Sequence, residues 1–164
     1  MAESGMNIRA VILVAVGLFL AFVLEHLPMP DILLWLQPAW VLLLVTLLVM
    51  HAPHTFGLWL AIPLGLMLDV EHNSLLGMHV LTLAVHIFVL QLLYRRMAMF
   101  NFLQQTAVVF LLVVLQQLLS YWAVALVSEN MVPVSLWTPA LTSALVWPWV
   151  YALTHMALAR LHLS

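Results

Sequence analysis

Six apolar runs, separated by short polar or proline-bearing breaks, govern what this chain can fold into. They cover about residues 8–24, 32–50, 54–68, 75–94, 102–127 and 136–159. A helix needs about 20 mostly apolar residues to cross the hydrocarbon core of a bilayer. Inside that core every backbone N–H and C=O must find a partner in the protein, which leaves helices or closed barrels. The runs are too long, and too rich in Leu and Ala, to be barrel strands. Six spans would use about 120 of the 164 residues. The rest suffices for two short tails and five tight loops, not for a folded domain outside the membrane. Only 6% of the residues are charged, against about a quarter in soluble domains. The chain is therefore expected to be an all-α membrane protein, a six-transmembrane-helix bundle forming one polytopic domain over residues 1–164.

Within the third run, residues 56–68 give only 13 uninterrupted apolar positions, short enough for a re-entrant segment. Arginine placement separates the two topologies, because cytoplasmic flanks collect Arg and Lys. With six spans and the amino terminus inside, Arg9, Arg95, Arg96 and Arg160 all fall on the cytoplasmic side. A third run that only dipped in and out would put Arg95-Arg96 and Arg160 on opposite sides. Six spans with both termini cytoplasmic follow, the loops at 51–55 and 95–101 inside. Glu25, Asp31, Asp69, Glu71 and Glu129 then face outward. The first run is not a signal peptide, since no small-residue cleavage site follows and another span comes at once.

What is missing narrows the chemistry. The sequence has no cysteine and no lysine. Disulfides, thiolate metal sites and a Cys nucleophile are excluded, as are a Schiff base and a Walker-type phosphate loop. No basic patch points to nucleic acid. No Ser/His/Asp arrangement, paired carboxylate or glycine-rich loop can be assembled, so no catalytic site, cofactor or metal is expected.

Gly57, Ala61, Gly65 and Asp69 recur every four residues and would share one helix face. Small residues let helix backbones approach closely in lipid. The pattern reads either as an internal packing seam topped by a boundary carboxylate, or as a face where Asp69 meets a partner or substrate. His72, His79 and His86 repeat at seven, close to one stripe of the fourth span. His86 lies about 18 Å along that helix from Ser74, deep in the bilayer, where an ionisable group is a functional candidate by default. His26, His51, His54 and His155 all lie near interfaces, so no facing ring offers a haem or metal site. A neutral, hydrogen-bonded ring inside the bundle is expected. Gln116, Gln117, Ser120, Thr138, Thr142 and Ser143 read as interhelical hydrogen-bonding groups. Pro148 is expected to kink the last span.

Gln37-Pro38-Ala39-Trp40 opens the second run, Gly65-Leu-Met-Leu-Asp69 closes the third and Leu76-Gly77 opens the fourth. Leu145-Val-Trp-Pro148-Trp149 follows in the last. In this order, with this size and span count, the chain resembles the MreD family of rod shape-determining proteins of Gram-negative bacteria. It departs from the pattern at Gln37, where a basic residue is expected. The resemblance implies a non-enzymatic inner-membrane component of the cell-elongation machinery for lateral peptidoglycan synthesis. It implies direct association with the bitopic protein MreC, and through it with the MreB filament and the peptidoglycan synthases. It also implies a bundle similar to the substrate-binding membrane subunits of energy-coupling factor vitamin transporters. The candidate partner or packing residues are Pro38, Trp40, Gly57, Ala61, Gly65, Asp69, Gly77 and Pro148. Membrane lipid surrounds the bundle, and a homo-oligomer is left open. A second reading is a small-molecule-binding transporter subunit, with Asp69, Glu71, His72 and His79 lining an outward cup. A third, an enzyme acting on lipid-linked wall precursors, lacks a nucleophile and an acid/base pair.

Overall fold

The computed structural model describes residues 8–28, 30, 36–72, 75–127 and 137–162. Among the described residues there are six α-helices and no strand. They are α1 (Ile8–Glu25), α2 (Trp40–His51), α3 (Ala61–Glu71), α4 (Met78–Met97), α5 (Phe102–Val127) and α6 (Thr138–His162). A single 3-10 turn, Leu58–Leu60, precedes α3. The starts of the second and sixth apolar runs, at 32 and 136, lie outside the described residues, as do Asp31, Glu129, Ser74 and the side chains of Arg9 and Arg160.

Two stretches, Met78–Met97 and Phe102–Leu126, are long and apolar enough to cross a membrane by length and composition. At about 1.5 Å per residue, α4 spans about 30 Å, the thickness of a hydrocarbon core. Val11–Glu25 and Trp40–His51 are shorter apolar helices.

Two boundaries differ from the sequence reading, and proline explains both. The run starting at 32 was expected to carry Pro38 inside its first turns, but α2 begins at Trp40 with Ala39 as its cap. Pro38 disfavours the helical conformation for the residue before it, so the helix starts after it. The third run was expected to be helical from 54. The chain instead turns through 53–57, passes through the 3-10 turn and becomes α-helical only at Ala61. Pro63 has no N–H to give the carbonyl of Trp59 and its ring would strike it, so Pro63 fits only the first turn of a helix. At its other end α3 runs past Leu68 to include Asp69 and Glu71.

The central helix is α4, which packs against α2, α3 and α5; α6 packs on α5 and α2, and α1 packs along α2. The reason lies in spacing. Leu83, Ile87 and Leu90 are fully buried at intervals of one helical turn, and they meet Val41, Val45 and Val49 of α2 and Val109 and Val113 of α5 in one core. The opposite faces are just as apolar but exposed: Phe19, Leu81, Leu92, Leu103, Leu111 and Trp149 all point away from the bundle. Soluble monomers rarely expose contiguous apolar surface on this scale, whereas lipid covers it without cost. α6 continues through Pro148, with Trp147 fully buried on one side and Trp149 exposed on the other.

Candidate functional site

Among the described glycines, the closest approach of two backbones lies between α3 and α4. A Cβ added at Gly65 would stand 2.4 Å from Val80 Cα and 2.5 Å from Val80 N. No side chain fits where two backbones meet this closely, so glycine is required by space. One turn on, Asp69 is buried to 1% exposure. Its Oδ2 accepts from the Gly77 N–H at 2.7 Å. Its Oδ1 accepts from the His79 N–H and from His79 Nδ1–H, both at 2.8 Å. The carboxylate thus satisfies two backbone donors at the start of α4, where the helix dipole favours negative charge. Gly77 caps that helix with φ +98°, a left-handed conformation that costs other residues about 1–2 kcal/mol. Nothing stands within 4 Å of a Cβ there, so conformation rather than space selects glycine.

The sequence reading left two roles open for Asp69: the boundary carboxylate of an internal packing seam, or a group that meets a partner or substrate. The structure fits the internal seam and corrects only the exposure, since the carboxylate turns inward and closes the α3–α4 hairpin. Gly57 also needs correcting. It lies in the bend before α3 with extended φ −120° and is not on the face carrying Ala61, Gly65 and Asp69. It is buried against Gln91, whose Nε2 would be 3.2 Å from an added Cβ. His72 is likewise not on α4; it follows the last residue of α3.

Even so, the structure gathers the polar residues the sequence singled out, and adds two. The His72 and His79 rings stack with centroids 5.1 Å apart, and His26 of α1 meets His72 edge-on at 5.5 Å. His26 Nε2 is 2.8 Å from Glu71 Oε1. Beside it, Glu25 Oε2 accepts from the Val41 N–H at 2.9 Å, capping the first turn of α2. Gln37 ties the same corner by donating its side-chain amide to the backbone carbonyls of Leu24 and Glu25. Burial pushes the Glu25 carboxyl above its ordinary range, partly offset by the Val41 N–H and by His72 and His26. Glu25, His26, Asp69, Glu71, His72 and His79 therefore form one cluster where the ends of α1 and α3 meet the start of α4. Among the described residues, no group of three or more His, Cys, Asp and Glu is arranged to hold a metal ion. The sequence reading had Glu25 only as outward-facing and Gln37 only as a departure from the family pattern, because contacts made 12 to 16 positions away leave no local spacing to detect.

The deep histidine is held within the bundle. The Thr46 hydroxyl donates to Leu42 O at 2.7 Å, so its oxygen is the acceptor for His86 Nε2–H at 3.0 Å. Ser143 accepts from the Ala39 N–H at 2.9 Å, joining α6 to the start of α2. Thr142 instead bonds its own helix, at the Thr138 and Pro139 carbonyls. Pro38 and Trp40 flank that α2 start, half-buried.

These features define a class: an all-helical, lipid-facing protein whose described polar side chains mostly cap and join its own helices. Comparison with known proteins makes the class specific. Residues 6–157 match the family described as rod shape-determining protein MreD. Rod shape-determining protein MreD of Haemophilus influenzae (strain ATCC 51907 / DSM 11121 / KW20 / Rd) is 29% identical over 134 residues, covering 82% of this chain and 83% of the relative. No solved structure matches. The chain belongs to the MreD family, whose members are membrane components that determine rod shape and are not enzymes.

Proposed function

We propose that this chain is an integral scaffold of the cell-elongation machinery. In this reading it crosses the bacterial inner membrane six times with both termini cytoplasmic. It binds MreC directly and, through MreC, couples the MreB filament to the peptidoglycan synthases. The observation that carries the reading is the family match over residues 6–157. The bundle supports it physically, because its tightest polar contacts, such as Asp69 on the α4 start, stabilise a rigid framework rather than line a reaction centre. The test is purification of the tagged chain from detergent with untagged partners, identified by mass spectrometry. MreC should be recovered in near-equal amount, and its absence under conditions that keep the chain folded would sink the proposal. Compartment-sensitive reporters fused after Arg96 test the topology, and an extracytoplasmic signal there would overturn it.

The clustering of three histidines with three carboxylates at one end of the bundle favours one second reading, a small-molecule-binding transporter subunit. In that case a soluble ligand would stabilise the purified chain, and changes in the cluster would abolish that effect while leaving MreC recovery unchanged.

A further inference from the structure

Charge in this bundle is sorted to opposite ends. Among the described residues, the carboxylates Glu25, Asp69 and Glu71 gather around the start of α4. Arg95 and Arg96 stand in the last turn of the same helix, about 26 Å along its axis from Met78. Neither arginine meets a carboxylate among the described residues, and the two ion pairs there both use histidine at the far end. A guanidinium keeps its charge at any physiological pH. The described part of the bundle therefore supplies no counter-charge for this end.

An apolar stripe on α4 leads to those charges. Leu81, Phe88 and Leu92 are exposed, while Leu83, Ile87 and Leu90 fill the opposite, buried face. Spacings of seven and four keep the exposed three on one side, and Arg95 and Arg96 follow Leu92 by three and four. From Leu81 to Arg95 the stripe runs about 21 Å, longer than the roughly 15 Å depth of one hydrocarbon leaflet. Because α4 matches the thickness of the whole core, its last turn ends at headgroup level. There Arg95 Nε donates to the Tyr94 hydroxyl at 3.0 Å, and its guanidinium carbon lies 5.7 Å from the Tyr94 ring centre. The ring holds that fork in place and leaves its two NH2 groups to donate elsewhere.

We propose that Tyr94, Arg95 and Arg96, with the stripe through Phe88 and Leu92, form a binding site for an anionic phospholipid. The phosphate takes the two guanidinium groups, whose planar forks match its oxygens, and an acyl chain lies along the stripe. Both halves of the surface are needed to choose the occupant. A soluble acidic protein reaches the arginines but not the stripe, which lies at membrane depth. A zwitterionic lipid covers the stripe, but its own ammonium group offsets the attraction of its phosphate. The inference rests on α4 as a membrane span and is independent of the assembly with MreC.

Native mass spectrometry of the detergent-purified full chain, mixed with equal amounts of phosphatidylglycerol and phosphatidylcholine, reads the preference directly. Each arginine near an anionic headgroup strengthens attachment about fivefold, so phosphatidylglycerol should be retained about 25-fold over phosphatidylcholine. Arg95→Gln or Arg96→Gln should each cut that preference about fivefold, and the double variant should abolish it. Folded yield and thermal midpoint should stay natural, because both side chains are exposed. Each single variant keeps one arginine to hold the topology, so the test survives if the double variant fails to insert. A large excess of inorganic phosphate should not displace the bound lipid; displacement would leave a phosphate site and overturn the proposal. Equal retention of the two lipids would overturn it too and leave the patch to an acidic protein. So would a preference that persists in the double variant, since the lipid would then sit elsewhere. Alkaline carbonate washing of the membranes keeps the two readings apart. A chain released by carbonate breaks the reading of α4 as a span, whereas an embedded chain without lipid preference breaks only this site.

Discussion

Two helix pairs in this molecule are joined by opposite means. In the α3–α4 hairpin, Gly65 brings backbone against backbone, and a carboxylate buried to 1% exposure completes the turn. In the α1–α2 corner, polar side chains make the closure: Glu25 caps α2, Gln37 holds the end of α1, and His26 reaches across to Glu71 with both partners about one-third exposed, 32% and 33%. Backbone contact has no adjustable atoms, so it fixes the geometry and tolerates no added volume. Side-chain closure has rotamers and protons to adjust, so it can respond to its surroundings. One end of the bundle thus holds a rigid joint beside a tunable one.

The largest effect should come from crowding the rigid joint. In Gly65→Leu the first added carbon already overlaps Val80, and overpacking costs about 1–3 kcal/mol or more. Folded yield and thermal midpoint in detergent should both drop sharply. A variant that melts like the natural chain would show that the two backbones separate easily, and the contrast would collapse.

Asp69→Asn should come next. At an exposed boundary this change would be neutral for folding, but the burial and pairing of Asp69 give it a cost. An amide at 69 offers a donor where three donors already converge on the two oxygens. Losing hydrogen bonds to a charged acceptor costs about 1.5–3 kcal/mol. Unfolding midpoints of Asp69→Asn and of the natural chain in the same detergent measure this directly. A smaller loss, about 1–2 kcal/mol, is expected for Gly77→Ala, from the left-handed conformation alone. Because the site has room, Gly77→Asn should recover part of it, and no difference between the two variants would remove the conformational explanation.

The tunable joint should give the smallest effect and the opposite sign. Burial raises the Glu25 carboxyl above its ordinary range, so the folded chain binds that proton more tightly than the unfolded chain does. Its charge at neutral pH therefore costs stability, and the cost is relieved as pH falls through the raised value. Glu25→Gln keeps an acceptor for the Val41 N–H and removes the charge. Its thermal midpoint should match or slightly exceed the natural one at neutral pH, with the gap closing toward acid. A lower midpoint at neutral pH would mean that the charge on Glu25 is needed for the cap.

Much of the fold was legible because it rests on local pattern. The apolar runs yielded α1, α4 and α5 within a few residues, Gly65 was marked by its four-residue spacing from Ala61 and Asp69, and Gly77 by the family resemblance. The short third run was misplaced because Pro63 moves the α-helical start to Ala61, which took Gly57 off the shared face. The histidines at 72, 79 and 86 looked like one stripe, yet the break before α4 puts His72 on the other side of the turn. It still stacks on His79, because the hairpin folds the two back together.

Composition and spacing by themselves determined that this chain is helical and lipid-facing, and that small residues mark a close helix contact. These properties depend on which residues sit a turn apart on the same helix. Only the tertiary structure decided where the polar groups point. Asp69 faces inward because the turn at Gly77 returns the chain so that the first N–H groups of α4 lie over its oxygens. Glu25 and His26 join the same cluster only because α1 packs along α2 and ends beside α3. Contacts between residues tens of positions apart follow from how helices pack, and no local period in the sequence encodes that arrangement.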